Sequence, residues 1–507
     1  VFFRQLYDTP LAQASYLIGC QATGEAIVVD PTRDVEPYVR VATQEGLRIV
    51  AVTETHIHAD FVSGSRELAV RTGARMLLSA EGGDDWQYAF AREDNARLLR
   101  DGESFLIGNI RFDVLHTPGH TPEHLSFVVT DTPAAAGAMG VVTGDFVFVG
   151  DVGRPDLLER AAKYEDTMEA SARVLFRSLQ RFRALPDHLQ VWPGHGAGSA
   201  CGKALGAVPF STVGYEKLAN WALGIDDEAV FVREVLAGQP EPPTYFATMK
   251  RINKAGPRVL RGFPTPPKLP ATAAYGLAKQ GALILDLRPA ATFAAAHIPG
   301  TLSIPLNKTL STWAGWLVAE GQEFTLLLNT DTDSVNPTEL QHAVRDLAMV
   351  GLDGVTGWLD QHALAAYTHA GGTLEQVPHL SPAALAEALA DGRVHVIDVR
   401  GASEWAEAHI PGSINIPVGL LGDSLEDLPS GPIVVHCQSG SRSAIAASVL
   451  RRAGRHDVQN LSGGIGAWMA QALPVKAGDN HDEIRGNANG NSNSKSTAED
   501  TGVTRAG

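Results

Sequence analysis

From residue 14 the chain falls into short apolar stretches broken by polar turns. ASYLIG, EAIVVDP and LRIVAVTETH alternate or run apolar over lengths that suit strands. Helical spacing over 34–46 separates the last two, and a second helical pattern covers 64–73. RFDVLHTPGHT, HLSFVVT and MGVVTGDFVFV continue the strands. A longer helical stretch at about 165–183 follows, then the short strand LQVWPGHG and a helical segment at roughly 213–237. This order predicts an α/β sandwich whose strand-end loops gather on one edge. The run PEPPTYFATMKRINKAGP reads as a linker by composition.

Beyond that run lies an internal repeat. LILDLRPAATFAAAHIPGTLSIPL (283–306) matches HVIDVRGASEWAEAHIPGSINIPV (395–418) without a gap. Asp286 falls on Asp398, Arg288 on Arg400, His297 on His409 and Pro299 on Pro411. Each copy continues to a second apolar strand, TLLLN (325–329) and IVVHC (433–437), and then to an amphipathic helix. Two homologous strand–helix domains with parallel, helix-covered sheets account for this pattern. The predicted organisation is therefore 1–245 as a metal domain, 246–265 as linker, 266–372 and 373–475 as the two repeats. The tail 476–507, rich in Gly, Asn and Ser, is expected to be disordered.

Composition narrows the function more than the fold. The chain has 507 residues, too many for one core, and a formal charge of -16 argues against nucleic acid or an anionic membrane as partner. No apolar run reaches the length of a membrane span, so a cytoplasmic location is the expectation. Three cysteines, Cys20, Cys201 and Cys437, cannot form a disulfide scaffold, and no CxxC pair is present. Cys201, six residues beyond His195, could bind a metal or sense oxidation, but reads first as a small buried residue.

The seventeen histidines carry more information, because several sit just after predicted strands. Thr55-His56-Ile57-His58-Ala59-Asp60-Phe61 follows the strand IVAV, and its HxHxD spacing turns imidazoles and a carboxylate into one space. Gly119-His120, Gly144-Asp145 and Pro193-Gly194-His195-Gly196 follow in order, each flanked by Gly or Pro, which lets backbone close around a metal. A lone loop histidine is usually a surface or hydrogen-bonding group, but four such sites in order are not accidental. Phe61 stands at the sixth position of the first motif, and an aromatic ring has no lone pair to give a metal. Asp60 and His195 alone would hold a second ion poorly.

The second chemical station is His436-Cys437-Gln438-Ser439-Gly440-Ser441-Arg442, between the strand IVVH and a helix. Backbone N–H groups curling round the cysteine sulfur at a helix N-terminus stabilise a thiolate and a bound anion. Gln438, Ser439, Gly440 and Ser441 are the expected substrate cradle. Arg442 adds a fixed cation whose forked donors suit thiosulfate or sulfite. The spacing is Cys-x4-Arg, tighter than the Cys-x5-Arg that encloses a phosphate. The first copy has NTDTDSV (329–335) here, without nucleophile or arginine, and with Asp331 and Asp333 to repel an anion.

On these motifs, residues 1–240 resemble the metallo-β-lactamase superfamily, on the branch holding glyoxalase II and the persulfide dioxygenases. The repeats resemble the rhodanese family, the first inactive and the second active. The resemblance implies an αββα sandwich followed by two rhodanese-type α/β domains. It also implies one iron(II) on His56, His120 and Asp145, a facial triad with room for a sulfur substrate and O2. His58, Asp60 and His195 would then be polar groups around the metal that serve catalysis, and His124 a weaker candidate for the same role. Arg154, in a GRxD segment, would meet a carboxylate of a glutathione-type substrate, with an ordinary salt bridge equally open. Asp398, Arg400 and His409 read as folding residues, since the inactive copy keeps all three.

The leading expectation is an iron-dependent persulfide dioxygenase, yielding thiol and sulfite, coupled to sulfur transfer through a Cys437 persulfide. Glutathione or another small thiol, with thiosulfate and sulfite, would be the partners, and a homodimer is a family-level expectation. The alternative is a zinc-dependent thioester hydrolase of the glyoxalase II kind fused to a sulfurtransferase. A binding or sensing protein would instead treat both sites as relics.

Overall fold

In a computed structural model, which describes residues 1–160, 167–203, 205–330 and 337–478, the chain builds one sandwich and two parallel-sheet domains. The first sheet of the sandwich has six strands in sequence order: Phe2–Asp8, Gln13–Cys20, Glu25–Val29, Arg48–Thr53, Arg75–Ser79 and Arg97–Leu99. The second orders Ser211–Thr212, Gln190–Pro193, Gly140–Gly144, Leu125–Asp131, Ile110–His116 and Ser104–Ile107. The strand Gln13–Cys20 is buried on both faces. Tyr16 and Ile18 meet Phe112, Phe127 and Trp192 of the other sheet. Leu17 faces the opposite way, into a cluster with Tyr38 and Leu68 of the helices Glu36–Gln44 and Ser65–Thr72. The second sheet is covered in turn by Met168–Arg183 and Glu228–Leu236 through Leu175, Leu179 and Phe231. This αββα order is the one the family resemblance implies, and it agrees with the α/β sandwich read from the hydrophobic pattern. The long 213–237 segment is two helices, Val213–Ala219 and Glu228–Leu236, rather than one.

The 246–265 segment is not a plain linker. Its first half lies in the helix Tyr245–Ala255, which buries Phe246, Met249, Lys250 and Asn253. Those positions are spaced three and four apart, so one helical face packs inward.

The middle domain orders its strands Leu302–Ser303, Leu283–Asp286, Phe324–Leu327 and Val355–Leu359, all parallel. The last domain repeats that order with Ile414–Asn415, His395–Asp398, Ile433–His436 and Val458–Leu461, plus His379–Leu380 at the far edge. The register corrects the alignment of the two copies after the first motif. Asp286 pairs with Leu327 where Asp398 pairs with His436, so Leu328, not Thr330, stands in the place of Cys437. An aliphatic side chain cannot carry sulfur, and the conclusion that this copy lacks a nucleophile is unchanged. Asp331 and Asp333 lie outside the described residues, as do 479–507 of the tail.

Both copies share one buried ion pair. Arg288 forks onto Asp286 and donates to Ala296 O, and Arg400 does the same with Asp398 and Ala408 O. His297 lies flat on Phe293 at 4.0 Å, and His409 on Trp405 at 3.6 Å. These are folding devices, as the repeat implied.

The middle domain is held on two sides. Arg33 forks onto Asp353 at 2.7 and 2.9 Å, and Arg345 pairs with Asp34 at 2.8 Å and with Asp8. The Val62 N–H, next to the first histidine motif, donates to Met349 O at 2.7 Å. On the other side, the Ser303 N–H donates to Ser448 Oγ in the helix Ser441–Arg452 that follows the cysteine loop.

Candidate metal centre and sulfur-carrying loop

Four loops after the strands Arg48–Thr53, Ile110–His116, Gly140–Gly144 and Gln190–Pro193 bring the predicted residues together. Asp145 is the hub. Its Oδ2 lies 3.9 Å from His56 Nε2, 3.6 Å from His120 Nε2 and 3.4 Å from His195 Nε2. His56, His120 and Asp145 form one group whose donor atoms lie within 4.8 Å of one another. Asp60, His195 and Cys201 form a second such group beside it, with Asp60 Oδ2 3.3 Å from His195 Nε2.

Each donor is aimed by a partner behind it. His56 Nδ1 meets Thr55 Oγ1 at 3.0 Å, His120 Nδ1 donates to Arg154 O at 3.0 Å, and His195 Nδ1 donates to Ala12 O at 3.0 Å. The Asp145 N–H donates to His124 Nε2, whose Nδ1 meets Thr117 Oγ1. His124 is thus a support one step behind the metal group, as the weaker expectation had it.

Glycine is required where backbone approaches the carboxylate. A Cβ on Gly194 would sit 2.5 Å from Asp145 Oδ1, and one on Gly153 would sit 1.8 Å from Asp145 O. Neither carboxylate oxygen of Asp145 or Asp60 has a hydrogen-bond partner among the described residues, although all four atoms are buried. Buried carboxylates left so are costly unless a cation completes them, so the donor set fits a metal. Burial holds His120 down to about 4 and His56 well below its ordinary value, the neutral ligand form. Despite burial, His195 and His56 hold Asp145 well below the usual carboxylate range.

Of the two readings of Arg154, the salt bridge is the one that forms. Arg154 is fully buried, forks onto Asp156 at 2.8 and 2.7 Å and donates to Ala200 O. Its guanidinium is spent inside the protein and meets no substrate carboxylate, while its carbonyl aims His120. His58 belongs to neither donor group: its Nε2 bonds Asp30 Oδ1 at 3.2 Å. Burial opposes a charge on His58, but Asp30, Glu54 and Asp60 outweigh it and raise the imidazole to about 9. Phe61 is fully buried with its ring 4.5 Å from that of His58.

Three contributors escaped the sequence reading, and a fourth stood there only as the lesser alternative. Asp30 accepts from Thr55 N–H at 2.6 Å and Thr55 Oγ1 at 2.9 Å, and Glu123 accepts from Ile57 N–H at 2.7 Å. Asn253 donates to His58 O at 2.8 Å and Phe61 O at 2.7 Å and accepts from Ser63 N–H at 2.9 Å. Cys201, set aside as a packing residue, is the fourth, and burial pushes its thiol up to about 12.

In the last domain Cys437 Sγ accepts from Gly440 N–H at 3.1 Å and Ser443 Oγ at 3.6 Å. Burial raises the thiol, but these bonds and those from the Ser443 and Ser439 backbone prevail and lower it. Gly440 has φ +111°, which the turn into the helix requires. The loop is held from below by the helix Gly464–Ala470, with Ile465 N–H on Cys437 O at 2.9 Å and Gly466 N–H on Gln438 O at 3.0 Å. Gln438, Ser439 and Ser441 are exposed at the rim, where the cradle was expected. Arg442 departs from the simple picture: both fork nitrogens bond Glu404, at 2.6 and 2.8 Å.

The family description "Metallo-beta-lactamase superfamily" matches residues 8–195, and "Rhodanese-like domain" matches 381–471. A crystal structure of a metallo-beta-lactamase from Staphylococcus aureus subsp. aureus COL is 41% identical, covers 71% of this chain and 98% of that one, and superposes with a TM-score of 0.63. The chain belongs to the metallo-beta-lactamase superfamily. Its metallo-beta-lactamase domain is 26% identical to "Persulfide dioxygenase ETHE1, mitochondrial" of Bos taurus over 53% of this chain and 91% of that protein. It is also 31% identical to a hydroxyacylglutathione hydrolase of Methylobacterium sp. (strain 4-46), over 35% of this chain and 60% of that protein. The superfamily binds metal, this chain adds a C-terminal rhodanese domain, and no helix among the described residues is long and apolar enough to cross a membrane.

Proposed function

We propose that the metallo-beta-lactamase domain is a persulfide dioxygenase and that Cys437 exchanges sulfur with its substrate by rhodanese-type transfer. The observation that carries the reading is Phe61, buried beside a group of two histidines and one aspartate. The ring removes a ligand that a two-metal hydrolase would need and leaves a triad with open positions. In balance, a thiol persulfide, O2 and water give the thiol, sulfite and two protons. Iron(II) on His56, His120 and Asp145 would supply the O2 chemistry that no side chain offers. The chain's own part is to orient those ligands through Thr55, Arg154 O and His124, and to set Asp60 and His195 where they can hold protons near the sulfur. At the other station the Cys437 thiolate takes the outer sulfur of a donor such as thiosulfate or glutathione persulfide.

The group Asp60, His195 and Cys201 favours a second reading, a zinc-dependent thioester hydrolase, because it offers donors for another ion. The two are separated by O2 uptake with anaerobically purified, iron-loaded protein and glutathione persulfide, with sulfite assayed and His120→Ala as control. Uptake matched by sulfite and lost in the variant is expected. No uptake by protein with confirmed iron would refute the dioxygenase for this carrier and favour the hydrolase.

A further inference from the structure

We infer that Glu404 sets the donor preference of Cys437, neutralising Arg442 so that the loop favours thiol persulfides over the dianion thiosulfate. This rests on the sulfur-transfer reading of Cys437. Glu404 lies on the short helix Ala402–Glu407, and its two oxygens accept from Arg442 Nη2 at 2.8 Å and Nη1 at 2.6 Å. The carboxylate is also held from behind by the Gly401 N–H at 3.2 Å. The forked donors that would grip an anion beside Cys437 are therefore already filled by an anion of the protein's own. Although partial burial opposes it, the Arg442 hydrogen bond keeps Glu404 below its ordinary value, so the pair is charged at neutral pH.

The repeat supplies an internal control. The buried pair Asp398–Arg400 does a folding job, and the inactive copy keeps it as Asp286–Arg288. The gapless match places Thr292 opposite Glu404. Where Leu328 replaces the nucleophile, the glutamate has gone too, whereas the folding pair has stayed. Glu404 thus departs together with the cysteine; it also caps its own helix through the Gly401 N–H, a bond for which Pro289 in the first copy has no donor.

The consequence differs between donors. With thiosulfate, the Cys437 thiolate attacks the outer sulfur, the S–S bond breaks, and sulfite leaves with the bonding pair. The dianion arriving and the dianion leaving both need Arg442, which must part from Glu404 and leave that carboxylate facing them. With a thiol persulfide, Cys437 takes the terminal sulfur with its proton and the thiolate of the carrier leaves, with one negative charge at the reacting sulfurs at any stage. The ion pair can stay closed.

The test uses the full chain. Cys437 loading is followed by mass spectrometry and by transfer of the sulfur to cyanide, with thiosulfate and with glutathione persulfide as donors. Glu404→Gln keeps the shape and removes the charge. It should lower KM for thiosulfate by about tenfold or more, leave kcat/KM for the persulfide within about twofold, and make thiosulfate turnover more salt-sensitive. Glu404→Asp, which restores the charge, should bring the donor ratio back towards that of the unsubstituted protein. An unchanged ratio in Glu404→Gln, with loading by both donors, would overturn the inference alone. Failure of both donors to load the unsubstituted protein would overturn the sulfur-transfer reading, and preferential loading by thiosulfate would overturn the inference alone.

Discussion

Replacing Asn253 by Ala tests how the metal loop is held. The side chain satisfies the carbonyls of His58 and Phe61 and the N–H of Ser63, all from a helix nearly two hundred residues away in sequence. Asn253 is 1% exposed, and its surroundings are protein, so water cannot readily take its place. Each backbone group stranded in such a site costs about 1–3 kcal/mol. The three share one loop and will relax together, so a loss of about 3–5 kcal/mol is expected rather than the full ceiling. That is a large share of the margin of about 5–15 kcal/mol that holds a domain folded. Chemical unfolding gives the stability change, and metal analysis after exhaustive dialysis reports on the loop itself. The loop carries His56 and Asp60, so the variant should lose metal faster even under conditions where it stays folded. Unchanged metal retention together with a loss below about 1 kcal/mol would refute the reasoning.

Gly464→Ala acts on the other station. The residue has φ +60°, and a Cβ there would stand 2.3 Å from Cys437 O and 2.8 Å from Gln438 C. Displacing that floor should reduce sulfur loading of Cys437 by about tenfold or more while metal content is unchanged; normal loading would contradict the account of the loop. His297 should make the middle domain acid-sensitive. Burial holds it down to about 4 against an ordinary 6.5, so the unfolded chain takes up a proton that the folded one refuses. Stability is then complete above pH 6.5 and falls between there and about 4, by up to about 3 kcal/mol. Urea midpoints should show that loss, and His297→Phe should flatten it; parallel pH profiles would refute the assignment.

The four candidate donor loops were legible because each follows an apolar strand, the first as an HxHxD run and the other three bracketed by Gly or Pro. The residues that aim them were not. Asp30, Glu123 and Asn253 are single polar residues with no local pattern, and only tertiary packing brings them to the loop. Arg154 is the reverse case. The GRxD segment offers Asp156 as a partner, but only the buried geometry shows that it takes the whole fork of the guanidinium. The helix Tyr245–Ala255 was hidden by the prolines that flank it, although Phe246, Met249, Lys250 and Asn253 already carried helical spacing. The slipped register in the middle domain came from a run of leucines without a landmark, which only strand pairing resolves. The Glu404–Arg442 pair is 38 residues apart in the chain and follows from no motif.

The burial of Cys437 has a consequence for traffic between the stations. Its residue is 1% exposed, its sulfur is clasped by Gly440 and Ser443, and a cysteine has a single side-chain torsion to turn. Nothing here resembles a swinging arm. On the proposed sulfur-transfer reading, sulfur leaving this loop would be collected at its rim by a small molecule that then diffuses away, exposed to competing thiols in solution. The fusion therefore shortens a commute without enclosing it, and added scavenger should intercept the cargo as readily as it would between two separate proteins.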